Sequence, residues 1–181
     1  MSATKPKPRK TKPTKKQILD EVQKRAHKYH KTYTGCAQCA LLPLQEIFNL
    51  EDDLTFKASS VLCGGLGGTS ESACGALAGS SLALGLKYGR GSGELEDRKK
   101  VTDSLLAVAK LCKWFELEFG AIYCRDLKKR LVGVYLDNRI NWQKEKAEEL
   151  GLRDKCADVV AKTARKAAEL LMEDEKKLMS P

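Results

Sequence analysis

Cysteine is the residue type best equipped for chemistry in this chain, because a thiolate is both a nucleophile and a soft metal ligand. There are seven, an odd number. Cys36 and Cys39 form a C-x-x-C at a predicted helix start, where two thiols one turn apart suit disulfide formation or metal chelation. Cys74 follows the run Gly64-Gly65-Leu66-Gly67-Gly68 and stands near the start of the next predicted helix, where the dipole favours a thiolate. Cys124 has Arg125 beside it and Lys128 one turn on, cations with the same effect. Cys156 lies in mid-helix next to Lys155, Cys112 reads as a small core residue beside Leu111, and Cys63 is readable either way. A structural zinc site would want a second close pair, and the other cysteines are widely spread. The chain has no C-x-x-C-H for haem attachment, no phosphate-binding P-loop and no G-x-G-x-x-G fingerprint. His27 and His30, three apart, could share a metal, but with no acid or cysteine at a matching offset they read as a solvated pair on a lysine-rich face. No acid–base constellation stands out, so no enzymatic reaction is assigned.

The elements that must position these thiols are helices. The stretch Cys63–Gly89 is the organising one: its glycine turn runs into a helix predicted to be capped by Thr69 or Ser70, with Glu71 at the positive end of the dipole. Gly75 and Gly79 inside that helix each cost roughly 1 kcal/mol against alanine, so another backbone or a cofactor must come close there. Helical spacing predicts a first helix from Thr14 with Ile18, Leu19, Val22, Ala26 and Tyr29 on one face, and a second from Cys36 to about Phe48, kinked or broken at Pro43. A short helix follows within 54–63. A long one spans about Glu94 to Glu118, with Val101, Leu105, Val108, Leu111, Cys112 and Phe115 inward and a left-handed cap at Gly120. Cys124 opens another, Gly133 to Asn141 is ambiguous, and two more run near Trp142–Leu150 and Arg153–Leu178, the last burying Cys156. No long period-two alternation occurs, so the expected fold class is all-α, a compact multi-helix bundle.

Composition narrows the class further. A length of 181 residues, 42% of them hydrophobic, suits one domain with a fair core. The formal charge of +9 sits largely in residues 1–16, where seven lysines and arginines alternate with proline and no acid occurs. Without them, 26 basic residues stand against 24 acidic ones. Residues 1–16 therefore read as a disordered basic tail and 17–178 as one cysteine-rich domain. A nucleic-acid partner is not expected beyond weak attraction by the tail. The chain shows no signal peptide and no apolar run long enough to span a membrane, so the expectation is a cytoplasmic protein with no membrane partner. In a reducing compartment, seven cysteines point to metal or redox work rather than a disulfide frame.

The order of these features resembles the redox-active protein family defined by four spaced cysteines and a C-G-A-x-x-G motif. The motif is matched by Cys74-Gly75-Ala76-Leu77-Ala78-Gly79, and the flanking segments by Gly35-Cys36-Ala37-Gln38, Phe119 to Leu127 around Cys124, and Cys156-Ala157-Asp158-Val159-Val160. The resemblance covers about residues 20–170. A similar domain occurs in split-Soret cytochromes, whose haem part has no counterpart here, and Cys39, Cys63 and Cys112 are additional to the family's four. The resemblance implies redox activity, with Cys36, Cys74, Cys124 and Cys156 converging on an iron–sulfur cluster or another metal centre. Gly64, Gly65, Gly67, Gly68, Gly75 and Gly79 would then let backbone N–H groups approach the cofactor's sulfurs. The second reading is a metal-free thiol–disulfide protein that uses Cys36 with Cys39 or with Cys74 as catalytic thiols. The third is a helical interaction module in which Gly75 and Gly79 serve packing, including that of a homodimer. No substrate and no redox partner can be named from the sequence.

Overall fold

The computed structural model describes residues 12–137, 139–173 and 178, and these form an all-α fold with eight α-helices and no strand. The helices are α1 (Lys15–Thr32), α2 (Cys36–Phe48), α3 (Asp53–Ala58), α4 (Gly75–Tyr88), α5 (Arg98–Phe119), α6 (Cys124–Val132), α7 (Asn141–Glu149) and α8 (Leu152–Leu171). Thr14 caps α1 in a reciprocal capping box with Gln17, which satisfies two otherwise orphaned N–H groups. Leu19, Val22 and Ala26 of α1 are buried where it lies along α8. The small-residue helix α4 is the hub, packed on α2, α5 and α8. Around it Leu41, Leu44, Leu84, Leu111 and Phe115 are fully buried, each such side chain worth about 1.5–3 kcal/mol of burial. Where α4 crosses α2, a Cβ on Gly79 would stand 2.7 Å from the Ala37 carbonyl carbon and nearer still to its oxygen. The close approach that its glycine foretells is to a backbone, and that backbone is in the same chain.

Several elements differ from the sequence expectations. Thr69 and Ser70 do not cap α4, which begins at Gly75 with Cys74 in the cap position. The intervening segment is committed elsewhere: Thr69 Oγ1 donates to Gly65 O and Leu66 O, and Ser70 Oγ accepts from Lys128. Pro43 leaves α2 unbroken. Leu105 is exposed rather than inward, because α5 leans on the bundle chiefly through α4 and buries only the narrow stripe Ala107, Leu111 and Phe115. α8 stops at Leu171, short of the expected Leu178, and residues 174–177 between them lie outside the described residues. Gly120 does take the left-handed cap, and the ambiguous stretch after Gly133 has no regular structure where it is described. Lys15 and Lys16, assigned to the basic tail, already belong to α1, and residues 1–11 lie outside the described residues. No helix of the described residues is long and apolar enough to cross a membrane.

Candidate redox centre

Three cysteines sit at helix starts: Cys36 opens α2, Cys74 precedes α4 and Cys124 opens α6. The chain reaches Cys74 through a turn of reversed hand. Gly64, Gly65, Leu66, Gly67 and Gly68 all have positive φ, between 56° and 76°, and Gly67 N–H and Gly68 N–H donate back to Val61 O and Cys63 O. A left-handed turn costs about 1–2 kcal/mol for each residue bearing a Cβ, so four of the five being glycine is what makes it affordable. Downstream, the antiparallel bridge Ala73↔Tyr123 clamps the two cysteine segments together. Cys74 N–H donates to Ile122 O, Cys124 N–H to Ser72 O and Arg125 N–H to Ser70 O, at 2.9–3.0 Å. Glu71 forms an ion pair with Arg125 across the clamp. The spacing of Cys74 and Cys124 is thus set by backbone rather than by their side chains.

Five of the seven cysteines line one cavity of about 520 Å³: Cys36, Cys63, Cys74, Cys124 and Cys156. They come from α2, the start of the glycine turn, the cap of α4, α6 and α8, so five segments distant in sequence meet there. Two motif glycines are explained by this gathering. A Cβ on Gly75 would fall inside 3.0 Å of Cys36 Sγ, and one on Gly65 would lie 2.7 Å from Cys124 Cβ. Gly64 N–H donates to Cys36 Sγ at 3.4 Å, and Gly64, Gly67 and Gly68 line the cavity themselves. Cys39 is not brought in. It is buried, with its thiol donating to Thr34 O at 3.7 Å, so the C-x-x-C spacing does not put both of its sulfurs on the cavity. Cys112 packs against the core away from it. Among the described residues, no three of His, Cys, Asp and Glu form a group that could hold a single metal ion.

Two opposing effects set the charge of these thiols. Burial pushes Cys74 up to about 12, and the nearby Cys124 adds to that; burial and Cys124 likewise push Cys156 to about 12. Burial raises Cys124 too, against the pull of Lys128 and Ser70. Lys128 is itself buried, and its ammonium donates to Ser70 Oγ at 2.9 Å and Leu136 O at 3.1 Å, so the cation is fixed beneath Cys124 and Cys156. Cys63 goes the other way, down to about 6, because Cys36 hydrogen-bonds to it and the N–H groups of Ala37 and Gln38 at the α2 start point at its sulfur. Cys36 is held protonated by that same bond and by burial. In the metal-free centre the Cys36–Cys63 pair is thus the one biased towards a thiolate, favoured on Cys63, while burial holds Cys74, Cys124 and Cys156 towards the neutral form.

Lys128 acts on Cys124 as its spacing in the sequence suggests, whereas Cys63, readable either way, and Ser70, expected as a helix cap, are parts of the site that the sequence did not assign. Only the adjacency of Cys63 to the glycine turn could have signalled it. His30 corrects the expectation of a solvated histidine pair: it is buried and lines the cavity, while His27 stays partly exposed, 3.5 Å from Asp158. Compared with known proteins, residues 34–170 match the model of a family described as "Putative redox-active protein (C_GCAxxG_C_C)". That label orders its central motif Gly-Cys-Ala, whereas this chain carries Cys74-Gly75-Ala76 before x-x-Gly79. No curated protein and no solved structure matches the chain.

Proposed function

The chain belongs to this redox-active family, and from that premise we propose that the five-cysteine cavity is its redox centre, with Cys36, Cys74, Cys124 and Cys156 as ligands of an iron–sulfur cluster. The observation that carries the reading is the opening of cysteines from five separate segments onto one cavity. A cluster would spread its cysteine ligands over two or four irons, so they need not crowd round one point as those of a single ion must. The cluster, when bound, would supply one-electron storage. The chain supplies the rest. Gly64 N–H donates to the sulfur of Cys36, and the N–H groups of Ala76 and Leu77 favour the thiolate of Cys74. Lys128 balances charge beneath Cys124 and Cys156. Because burial keeps these thiols protonated, loading the site must release protons.

The contact between Cys36 and Cys63 favours a second reading, metal-free thiol–disulfide exchange. In it the Cys63 thiolate attacks a disulfide substrate and expels its first thiolate. Cys36 then closes the Cys36–Cys63 bond, giving up its proton as the second thiolate leaves.

Anaerobic purification followed by an absorption spectrum, iron and sulfide assays and a thiol count separates the two. The cluster reading expects a brown protein that loses its iron in Cys74→Ser and keeps it in Cys112→Ser. Colourless protein with two reversibly oxidisable thiols, mapped to Cys36 and Cys63, would replace that reading with the second.

A further inference from the structure

The helix α5 buries only one side, through Ala107, Leu111 and Phe115. Its other side carries a second stripe. Arg98, Thr102, Leu105, Ala109, Cys112 and Glu116 follow at alternating steps of four and three, the spacing of a seam between two helices. All are exposed except Cys112, which is half-buried, and Leu105 at the middle is 64% exposed. Half-buried Val101 and Val108 widen the apolar middle. The stripe is also the reverse image of itself. Turned end for end about the point midway between Leu105 and Ala109, it sets Arg98 opposite Glu116, Thr102 opposite Cys112 and Leu105 opposite Ala109. Among the described residues neither Arg98 nor Glu116 has an ion-pair partner. Lys113 flanks the stripe, and the turn brings it towards Lys99, whose charge Asp103 already meets.

We infer that α5 is the interface of a two-fold dimer, packed antiparallel on α5 of a second copy of this chain. Leu105 of each copy sits against Ala109 of the other, large on small, and an Arg98–Glu116 ion pair closes each end. The charges specify this occupant, because the basic and acidic ends of the stripe meet only when two such helices run in opposite directions. Gly79 of α4, by contrast, is already taken up by the Ala37 backbone of its own chain. The stripe is about 27 Å long and one helix wide, which falls short of the roughly 800 Å² per partner of a standard interface. The dimer is therefore weak, with a Kd on the order of 100 μM. Among the described residues none of α5 lines the cysteine cavity, so pairing leaves both centres open and does not depend on what they bind.

The test is sedimentation equilibrium of the full chain, kept under reductant so that no intermolecular disulfide forms, from about 10 μM to about 1 mM. The mass should rise with concentration from that of the monomer towards twice it. Leu105→Lys, at an exposed position that leaves the helical content unchanged, should weaken association at least about tenfold. Glu116→Arg sets arginine against Arg98 at both ends, Arg98→Glu sets glutamate against Glu116, and each should weaken it about tenfold. The double variant Arg98→Glu with Glu116→Arg restores both pairs with their signs exchanged, and should return to within about threefold of the parent. A parent chain that stays monomeric throughout overturns the inference, as does a dimer that survives Leu105→Lys. A double variant no better than either single one overturns it too, because antiparallel self-pairing requires the rescue.

Discussion

Three glycines on α4 should give three different outcomes when each is replaced by alanine. At Gly75 the new Cβ meets Cys36 Sγ inside 3.0 Å, with Leu62 O at 3.1 Å and Ala37 N at 3.3 Å. Non-bonded heavy atoms need about 3.5–4.0 Å, so the sulfur, which also accepts from Gly64 N–H, must withdraw by roughly an ångström. Such overpacking costs about 1–3 kcal/mol, and the better helix former returns up to about 1 kcal/mol. The net loss is about 0–3 kcal/mol, a fall in Tm of no more than about 12 °C. At Gly79 the obstacle is the Ala37 backbone, which can move only with the whole of α2, so the loss should reach about 3 kcal/mol or more. At Gly85 nothing lies within 4 Å, and alanine should stabilise by about 0.4–1 kcal/mol. Circular dichroism at 222 nm would follow the three melts, and iron content with Cys36 labelling by a thiol reagent would follow the site. Gly75→Ala should keep its fold and lose the centre, whereas Gly79→Ala should lose both. If Gly75→Ala retains wild-type iron and Cys36 labelling, or Gly79→Ala melts like the parent, the account of why these glycines are glycines is wrong.

Two further expectations concern charge. Lys128→Met removes the ammonium that joins Ser70 and Leu136 O, leaving buried acceptors unpaired; urea unfolding should show a loss of about 1–3 kcal/mol, and labelling of Cys124 at pH 9 should slow. For the reduced, metal-free protein, stability should depend on pH in two opposite senses. Cys63, depressed from an ordinary value near 9 to about 6, adds stability that is complete above pH 9 and lost as pH falls towards 6. Cys74 and Cys156, raised to about 12, add stability that is complete below pH 9 and lost as pH rises towards 12. Urea melts of the parent, Cys63→Ser and Cys156→Val from pH 6 to 11 would resolve the two: the acid-side loss should shrink in the first variant and the alkaline loss in the second. An unchanged profile in both variants would refute the assignment.

The helices were legible because their signals are local. Thr14 before Lys15, the apolar stripe from Leu19 to Ala26, and Gly120 after Phe119 each act within a turn of the residues they organise. Cys36, Cys74 and Cys124 could be placed at helix starts for the same reason. What local signals do not carry is which sulfurs meet. The C-x-x-C spacing suggested that Cys39 would work with Cys36, but one turn of α2 carries Cys39 off the cavity, and Cys63, 27 residues downstream, takes the place beside Cys36. His30 escaped notice similarly. Its lysine neighbours face solvent, while its own position on α1 turns towards the cavity. The capping assignment of Thr69 and Ser70 failed because both residues close the reversed turn and its clamp, a tertiary demand that outweighs a cap.

That reversed turn also bears on what mutagenesis can reveal. Gly75 is held to glycine by the Cys36 sulfur that occupies the space of a Cβ, and Gly65 by Cys124 and the Ser70 backbone as well as by its positive φ, whereas Gly67 and Gly68 have open space there and are held by backbone handedness alone. An alanine scan would score all four as intolerant and so merge two unrelated causes. Chirality tells them apart. A D-alanine, whose preferred φ is the mirror image of that of its L form, matches the backbone that Gly67 and Gly68 already adopt. Over five residues this protein has the conformation of a peptide of the opposite enantiomer, and glycine is the one genetically encoded residue that can serve there without penalty.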